Sequence, residues 1–158
     1  MKNIFLLMVI VVFSSCSKDE ATIPQDQLIG SWTKVQSRYE YQDGTVQTDN
    51  TNGCSLQNKI IFKMDGTFEE LSYGLNLNTN DCTLQTNGFT GSKTWSKTNN
   101  GSYIFSKTST NPNYDSSLRL AITAVFQANT VTFRFQETDI DPSDSNPVLY
   151  YNEVYQKN

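Results

Sequence analysis

The sequence predicts a single all-β domain that follows an N-terminal signal segment. Short runs of aromatic and β-branched residues alternate with turns rich in Asn and Gly, which is typical of antiparallel β proteins. No helical period is visible after Cys16. The chain of 158 residues is long enough for one domain with its own hydrophobic core.

The predicted domain opens with a strand that begins at Leu28 and contains Trp32. Trp32 and Val35 have opposite parity along this strand, so a bulge near Thr33 and Lys34 is expected if both side chains face the core. A turn signal, Asp43-Gly44, follows the strand.

Glycine and asparagine turns predict the register of three later hairpins. Three-residue loops at 64–66 and 99–101 and a two-residue turn at 128–129 join runs in which apolar and polar residues alternate. The expected cross-strand pairs are Phe62 with Phe68, Trp95 with Phe105, and Phe126 with Val131. With a last strand over 148–155, we expect roughly eight antiparallel strands closed into a small up-and-down barrel.

The N-terminal segment has the three parts of a helical signal peptide. Lys2 supplies a positive charge, residues 4–13 are apolar, and Ser14 and Ser15 precede Cys16. This pattern resembles a bacterial lipoprotein signal, which implies cleavage before Cys16 and attachment of lipid to its thiol and new amino terminus. An ordinary cleaved signal with an incidental cysteine is the alternative. The expected segments are a signal over 1–15, a lipidated tether over 16–27 and a barrel over 28–158.

The residues after Cys16 bear on where the domain resides. Ser17-Lys18-Asp19-Glu20 is similar to the export signal of surface lipoproteins in Bacteroidetes. The resemblance implies an outer-membrane anchor with display on the cell surface, and an anchor that faces the periplasm is the alternative. Either way, the implied partner is a membrane reached through the lipid.

The domain itself resembles the lipocalin-like lipoproteins of Bacteroidetes. The resemblance rests on Gly30-Ser31-Trp32, the hairpin at Asp65-Gly66-Thr67-Phe68 and the strand that contains Trp95. Such a barrel holds either packed side chains or one small ligand. Arg134 is the candidate arginine to pack on Trp32, but the alternation of side chains along its strand places it on the face opposite Phe133. The sequence therefore leaves open whether the interior is a cavity or is filled.

Cys54 and Cys82 form an even pair once lipid occupies Cys16. We expect them to form a disulfide, because exported proteins occupy an oxidising compartment. Two free thiols are the alternative.

Composition argues against nucleic-acid binding and against most kinds of catalysis. The net charge of −4 and the pI near 4.7 do not provide a basic surface for nucleic acid. The absence of histidine excludes Ser-His-Asp and Cys-His devices, and the cysteines are too few for a zinc site. We therefore expect a protein that is not an enzyme and has no cofactor.

Two acidic features carry weaker hypotheses. Asp139, Asp141 and Asp144 are dense in oxygen ligands, but the glycine of an EF-hand loop is missing, so a solvated loop is favoured over a calcium site. Glu69 and Glu70 are neighbours on a strand and point to opposite faces, so one of them is expected at the barrel mouth or interior rim.

The leading functional hypothesis is a lipid-anchored barrel that binds a small apolar or amphipathic ligand. The alternative is a filled barrel whose loops at 76–91, 108–117 and 138–147 bind a protein or a glycan at the cell envelope. The aromatic residues expected to face the interior are Trp32, Phe62, Phe68, Trp95, Phe105, Phe126, Phe133 and Phe135.

Overall fold

The computed structural model describes residues 25–51, 53–85, 91–109, 117–138 and 140–158, so Cys16 and the predicted signal lie outside the described residues. The described chain is all-β, with ten strands and one short 3-10 helix, Gly53–Gln57. The strands are β1 Gly30–Tyr41, β2 Val46–Asn50, β3 Lys59–Phe62, β4 Phe68–Asn76, β5 Asp81–Gln85, β6 Lys93–Lys97, β7 Tyr103–Thr108, β8 Ser117–Gln127, β9 Thr130–Gln136 and β10 Val148–Lys157.

All the strands belong to one antiparallel sheet. Its order is β5-β4-β3-β1-β10-β9-β8-β7-β6, and β2 pairs with the second half of β1. The up-and-down antiparallel architecture is therefore confirmed. The count of eight strands is wrong, because β2 and β5 are additional short strands of five residues each. Every residue of β2 is exposed, and every residue of β5 except the half-buried Thr83 is exposed.

The sheet is not closed into a barrel, which corrects the second part of that prediction. Among the described residues, β4 and β6 do not form a ladder, and an isolated bridge between Thr67 and Thr94 connects this region of the sheet. The main-chain N–H of Trp95 also donates to the carbonyl oxygen of Gly66 at 2.7 Å. Beyond that point, an ion pair between Glu70 and Lys93 spans the gap between the strands at 3.3 Å.

The predicted hairpin registers are confirmed. Phe62 pairs with Phe68, Trp95 pairs with Phe105, and Phe126 pairs with Val131. Gly66 and Gly101 have φ values of 80° and 85°, which a glycine adopts without a steric penalty. The bulge in β1 lies between Lys34 and Gln36, one residue beyond the predicted position.

The strand directions give the curved sheet two different ends. The tight turns at 64–66, 99–101 and 128–129 lie at the end where β1 begins and β10 finishes, which we call the closed end. The turn between β1 and β2 lies at the opposite end, which we call the open end. The last residues of β7 and β9 and the first residues of β8 and β10 lie there too.

The hydrophobic core fills the closed end. Phe62 is 1% exposed, and its ring centroid lies 5.2 Å from that of Phe105, 5.6 Å from that of Phe68 and 6.0 Å from that of Phe133. Leu28, which is fully buried, accepts a 2.7 Å hydrogen bond on its carbonyl oxygen from the indole N–H of Trp32. The segment that enters the domain is thus part of the core.

Asp26 attaches the entering chain to the closed end. Its Oδ1 accepts a 2.7 Å hydrogen bond from the hydroxyl of Tyr103, and its Oδ2 lies 3.0 Å from the ammonium of Lys97. Burial raises the pKa of Tyr103 to about 12, and the hydrogen bond to Asp26 acts in the same direction.

Candidate functional site

The aromatic residues predicted to face the interior come together in the core. Trp32, Phe62, Phe68, Phe105 and Phe133 are buried, and the remaining three pack against them with partial exposure; these three are Trp95, Phe126 and Phe135. Neighbouring rings of the set lie in contact with one another. The inward orientation of these side chains is confirmed, and their role as the lining of a ligand cavity stays a prediction.

The predicted disulfide is also present. Cys54 and Cys82 are joined by an S–S bond of 2.05 Å, with their Cα atoms 5.3 Å apart. The bond links the 3-10 helix to the edge strand β5. It therefore fixes the helix against the open end of the sheet, where the accessible concave surface lies.

That surface is a polar groove which the sequence did not predict. It consists of two concavities of about 640 Å³ and about 350 Å³ that share Lys34 and Asn58 in their walls. We call it the open-end groove. Its lining includes Lys34, Asn58, Glu70, Lys107, Glu153 and Tyr155. The larger concavity is bounded by β2 and by Ser55 of the 3-10 helix.

Glu153 organises one side of the groove. Its Oε1 lies 2.5 Å from the ammonium of Lys34 and accepts a 2.9 Å hydrogen bond from the hydroxyl of Tyr151. Its Oε2 accepts a 3.0 Å hydrogen bond from the hydroxyl of Tyr155. The ammonium of Lys34 also donates to the Tyr151 hydroxyl at 2.9 Å, which completes a triangle of polar groups.

The protonation states of this network follow from burial and from the carboxylate. Burial lowers the pKa of Lys34, but the charge and the hydrogen bond of Glu153 outweigh it and hold this pKa above its ordinary value. Burial raises the pKa of Tyr151 and, further, that of Tyr155, and the negative charge of Glu153 acts in the same direction. At neutral pH the groove therefore offers an ammonium and neutral tyrosine hydroxyls.

Glu70 organises the other side. Its two oxygens contact the ammonium groups of Lys107 and, at 3.3 Å, of Lys93. The prediction that one of the two neighbouring glutamates faces the interior rim is confirmed for Glu70. Glu69 points outward instead and pairs with Lys63 at 2.5 Å.

Strand parity explains why charged side chains lie inside the curved sheet. Four charged groove residues are each two positions from a core aromatic on the same strand, so both members of each pair point to the same face. The pairs are Trp32 and Lys34, Phe68 and Glu70, Phe105 and Lys107, and Glu153 and Tyr155. This spacing is the signal by which the groove could have been found from the sequence.

In the acidic loop before β10, carboxylate oxygens accept hydrogen bonds from residues two positions later in the loop. Asp141 accepts hydrogen bonds from the main-chain N–H and the hydroxyl of Ser143, at 2.8 and 2.7 Å, and these lower its pKa. Asp144 accepts a 3.0 Å hydrogen bond from the main-chain N–H of Asn146. Asp139 lies outside the described residues. Within the described ranges, no group of three or more His, Cys, Asp and Glu side chains has a geometry that could hold a metal ion.

A lysine takes the place expected for an arginine over Trp32. The ammonium of Lys157 lies 5.1 Å from the centroid of the Trp32 ring. Arg134 lies on the outer face, as its parity predicted, where it stacks on Tyr150 at 3.6 Å and contacts Glu40 at 2.6 Å. Trp32 and Lys157 also border a third concavity, of about 380 Å³, at the closed end.

Comparison with models of known families, with curated proteins and with solved structures finds no match to this chain. In the part of the chain that the structure describes, no helix is long and apolar enough to span a bilayer.

Proposed function

We propose that this chain is a lipid-anchored binding module of the cell envelope that engages a polar partner, a glycan or a protein, through its open end. The packed aromatic core carries this proposal. Rings such as Phe62, Phe105 and Phe133 lie 5.2–6.0 Å apart and occupy the interior in which a lipocalin-like carrier would hold its ligand. The two concavities at the open end are lined mainly by polar and charged side chains instead.

The position of the chain ends supports the proposed orientation on a membrane. Gln25 lies nine positions after Cys16, a tether that spans at most about 32 Å when extended. The chain enters the domain at the closed end, where Asp26 contacts Tyr103. A lipid on Cys16 would therefore hold the closed end toward the bilayer and turn the open-end groove away from it. The anchor is proposed for the outer membrane, with the domain on the cell surface or in the periplasm.

The anchor can be tested by metabolic labelling. We expect the full-length chain to incorporate palmitate and to sediment with membranes, and Cys16→Ser to lose both properties. A Cys54→Ala/Cys82→Ala chain is the matched control, because it removes the other two cysteines and leaves Cys16. Label that persists in the Cys16→Ser chain would rule out lipidation at this residue.

The non-enzymatic assignment is supported by the state of the groove carboxylates. Glu70 contacts lysine ammonium groups, and Glu153 contacts Lys34 together with two tyrosine hydroxyls. Both carboxylates are therefore already engaged by side chains of the protein itself.

A carrier of amphipathic ligands is the second candidate, and the concavity at the closed end favours it. Trp32 and Phe126 offer apolar surface there, and the ammonium of Lys157 offers a partner for a carboxylate. A fatty acid is the ligand that this combination would take.

Tryptophan fluorescence distinguishes the two candidates. We expect no saturable change when the purified full-length chain in detergent is titrated with fatty acids, retinoids or haem, because the rings already fill the interior. A saturable change that Lys157→Met abolishes would instead establish the carrier. Lys63→Met, which alters an exposed lysine on the outer face, is the matched control.

A further inference from the structure

We infer that the open-end groove binds a neutral oligosaccharide segment, with Lys34, Glu153 and Tyr151 among its direct contacts. This inference rests on the proposed function, in which the open end is the binding face. It names the site and the chemical class of ligand, which that proposal leaves open between a glycan and a protein.

The groove presents donors and acceptors side by side. Lys34 donates, Glu153 accepts, and the hydroxyls of Tyr151 and Ser37, which lie 3.3 Å apart, can do either. Asn58 is held in place because its side-chain oxygen accepts a 2.6 Å hydrogen bond from the main-chain N–H of Tyr73. A chain of sugar hydroxyls, each of which donates and accepts, matches such a surface along its whole length.

The charges in the groove are balanced within it. Three ammonium groups and three carboxylates line it, those of Lys34, Lys59 and Lys107 and those of Asp49, Glu70 and Glu153. The side chains that form ion pairs there are only 12–21% exposed; they are Lys34, Lys93, Lys107, Glu70 and Glu153. A sulfated or otherwise polyanionic chain would place negative charge beside both glutamates, and a cation would meet three ammonium groups. A neutral polar ligand encounters neither repulsion.

Aromatic rings lie directly behind these polar groups, since the hydroxyl of Tyr151 contacts the groove-lining side chains of Lys34 and Glu153. The ring of Tyr151 lies 5.2 Å from that of Tyr39 and 5.9 Å from that of Phe135. Tyrosine combines an apolar face with a hydroxyl that stays hydrated, so it can pack against the C–H face of a sugar ring and bond its hydroxyls at once. The two concavities, of about 640 and 350 Å³, are in the size range of ligand sites.

The floor of the groove favours a sugar over a peptide. A peptide that adds to a sheet needs a strand edge with unpaired main-chain groups. The part of β1 from Gln36 to Glu40 is paired with β10 on one side and with β2 on the other. The floor that β1 forms therefore offers side chains and not a strand edge. The disulfide to Cys54 also fixes the wall that holds Ser55, so less ordering is needed on binding.

The test is calorimetric titration of the full-length chain in detergent with neutral hexose and pentose oligosaccharides, their sulfated counterparts, and peptides. We expect saturable binding of at least one neutral oligosaccharide and weaker binding of its sulfated form. The double variant Lys34→Met/Glu153→Gln should weaken binding at least tenfold. Lys63→Met/Glu69→Gln, which alters an ion pair on the outer face, is the matched control and should bind as the parent does.

A second variant covers the case in which the double variant fails to fold. Tyr151→Phe removes one hydroxyl from the groove and keeps the ring, and it should weaken binding by about fivefold, the effect of one lost hydrogen bond. Oligosaccharide binding that neither groove variant alters would overturn the inference, as would a preference for the sulfated chain, binding of peptide alone, or no binding. Failure of the proposed function would be seen in different experiments, as a loss of palmitate labelling or as saturable binding in the fatty-acid titration.

Discussion

Replacement of both Cys54 and Cys82 by alanine is expected to cost about 3.5 kcal/mol of folding free energy. The disulfide closes a loop with a sequence separation of 28 residues. Loop-closure entropy for a ring of this size gives that figure, because the unfolded chain regains the freedom that the bond removes. The replacement leaves the rest of the sheet intact, so the loss should come mainly from the unfolded state.

Urea unfolding of the full-length chain measures this loss. With a slope of about 2 kcal/mol/M, the midpoint of the double variant should fall by nearly 2 M. Reduction of the parent chain is the control and should produce a similar fall, since it opens the same ring. A fall below about 0.5 M in both experiments would refute the entropic reasoning. It would show that the unfolded chain is already restricted between the two positions.

Two further outcomes test the core and the attachment of the entering chain. Phe62→Ala should lower the free energy of unfolding by about 3–5 kcal/mol, because it leaves a cavity among four aromatic rings. Met64→Ala, at an 80% exposed site, is the control. Equal losses of unfolding free energy in the two variants, measured by urea unfolding, would contradict the packing account. For Asp26, burial raises the pKa, but hydrogen bonds from Tyr103, Leu28 and Lys97 outweigh it and lower the pKa below 3.8. This stabilisation is present above the unfolded pKa of about 3.9 and is lost as the pH falls through the folded value. Asp26→Asn should therefore be less stable than the parent at pH 7, and the difference should narrow below about pH 4; a difference that does not change with pH would contradict the assignment.

The parts of the fold that the sequence predicted are those that local chemistry determines. Gly66 and Gly101 permit three-residue loops, and such loops set which aromatic residues pair across each hairpin. The disulfide was predicted from the two cysteines that remain after Cys16 and from the expectation that the chain is exported. Closure of the sheet was predicted wrongly, because it depends on how β4 meets β6 after the chain has passed through β5, and no local signal reports that distance.

The groove was missed for a different reason. A charged residue in a strand is ordinarily assigned to the solvated face, so the residue types of Lys34 and Lys107 do not indicate that they point inward. The parity of Lys34, Glu70 and Lys107 is nevertheless that of Trp32, Phe68 and Phe105, two residues away on the same strands. Parity could have shown which way these side chains point, but only the three-dimensional structure shows that they meet.

The open seam and the charged interior are linked by the cost of burying ions. At the closed end, aromatic side chains fill the space within the curved sheet, and Trp95 bonds to Gly66 across the seam between β4 and β6. At the open end the same inner face carries Glu70 and Lys93, whose ion pair spans the seam. A continuous ladder between β4 and β6 would bury these two side chains further than their present 12% and 21% exposure. Complete removal of an ion from water has an effective cost of several kcal/mol. The pattern that closes one end by packing therefore keeps the other end hydrated and accessible, which is the condition for a polar binding face.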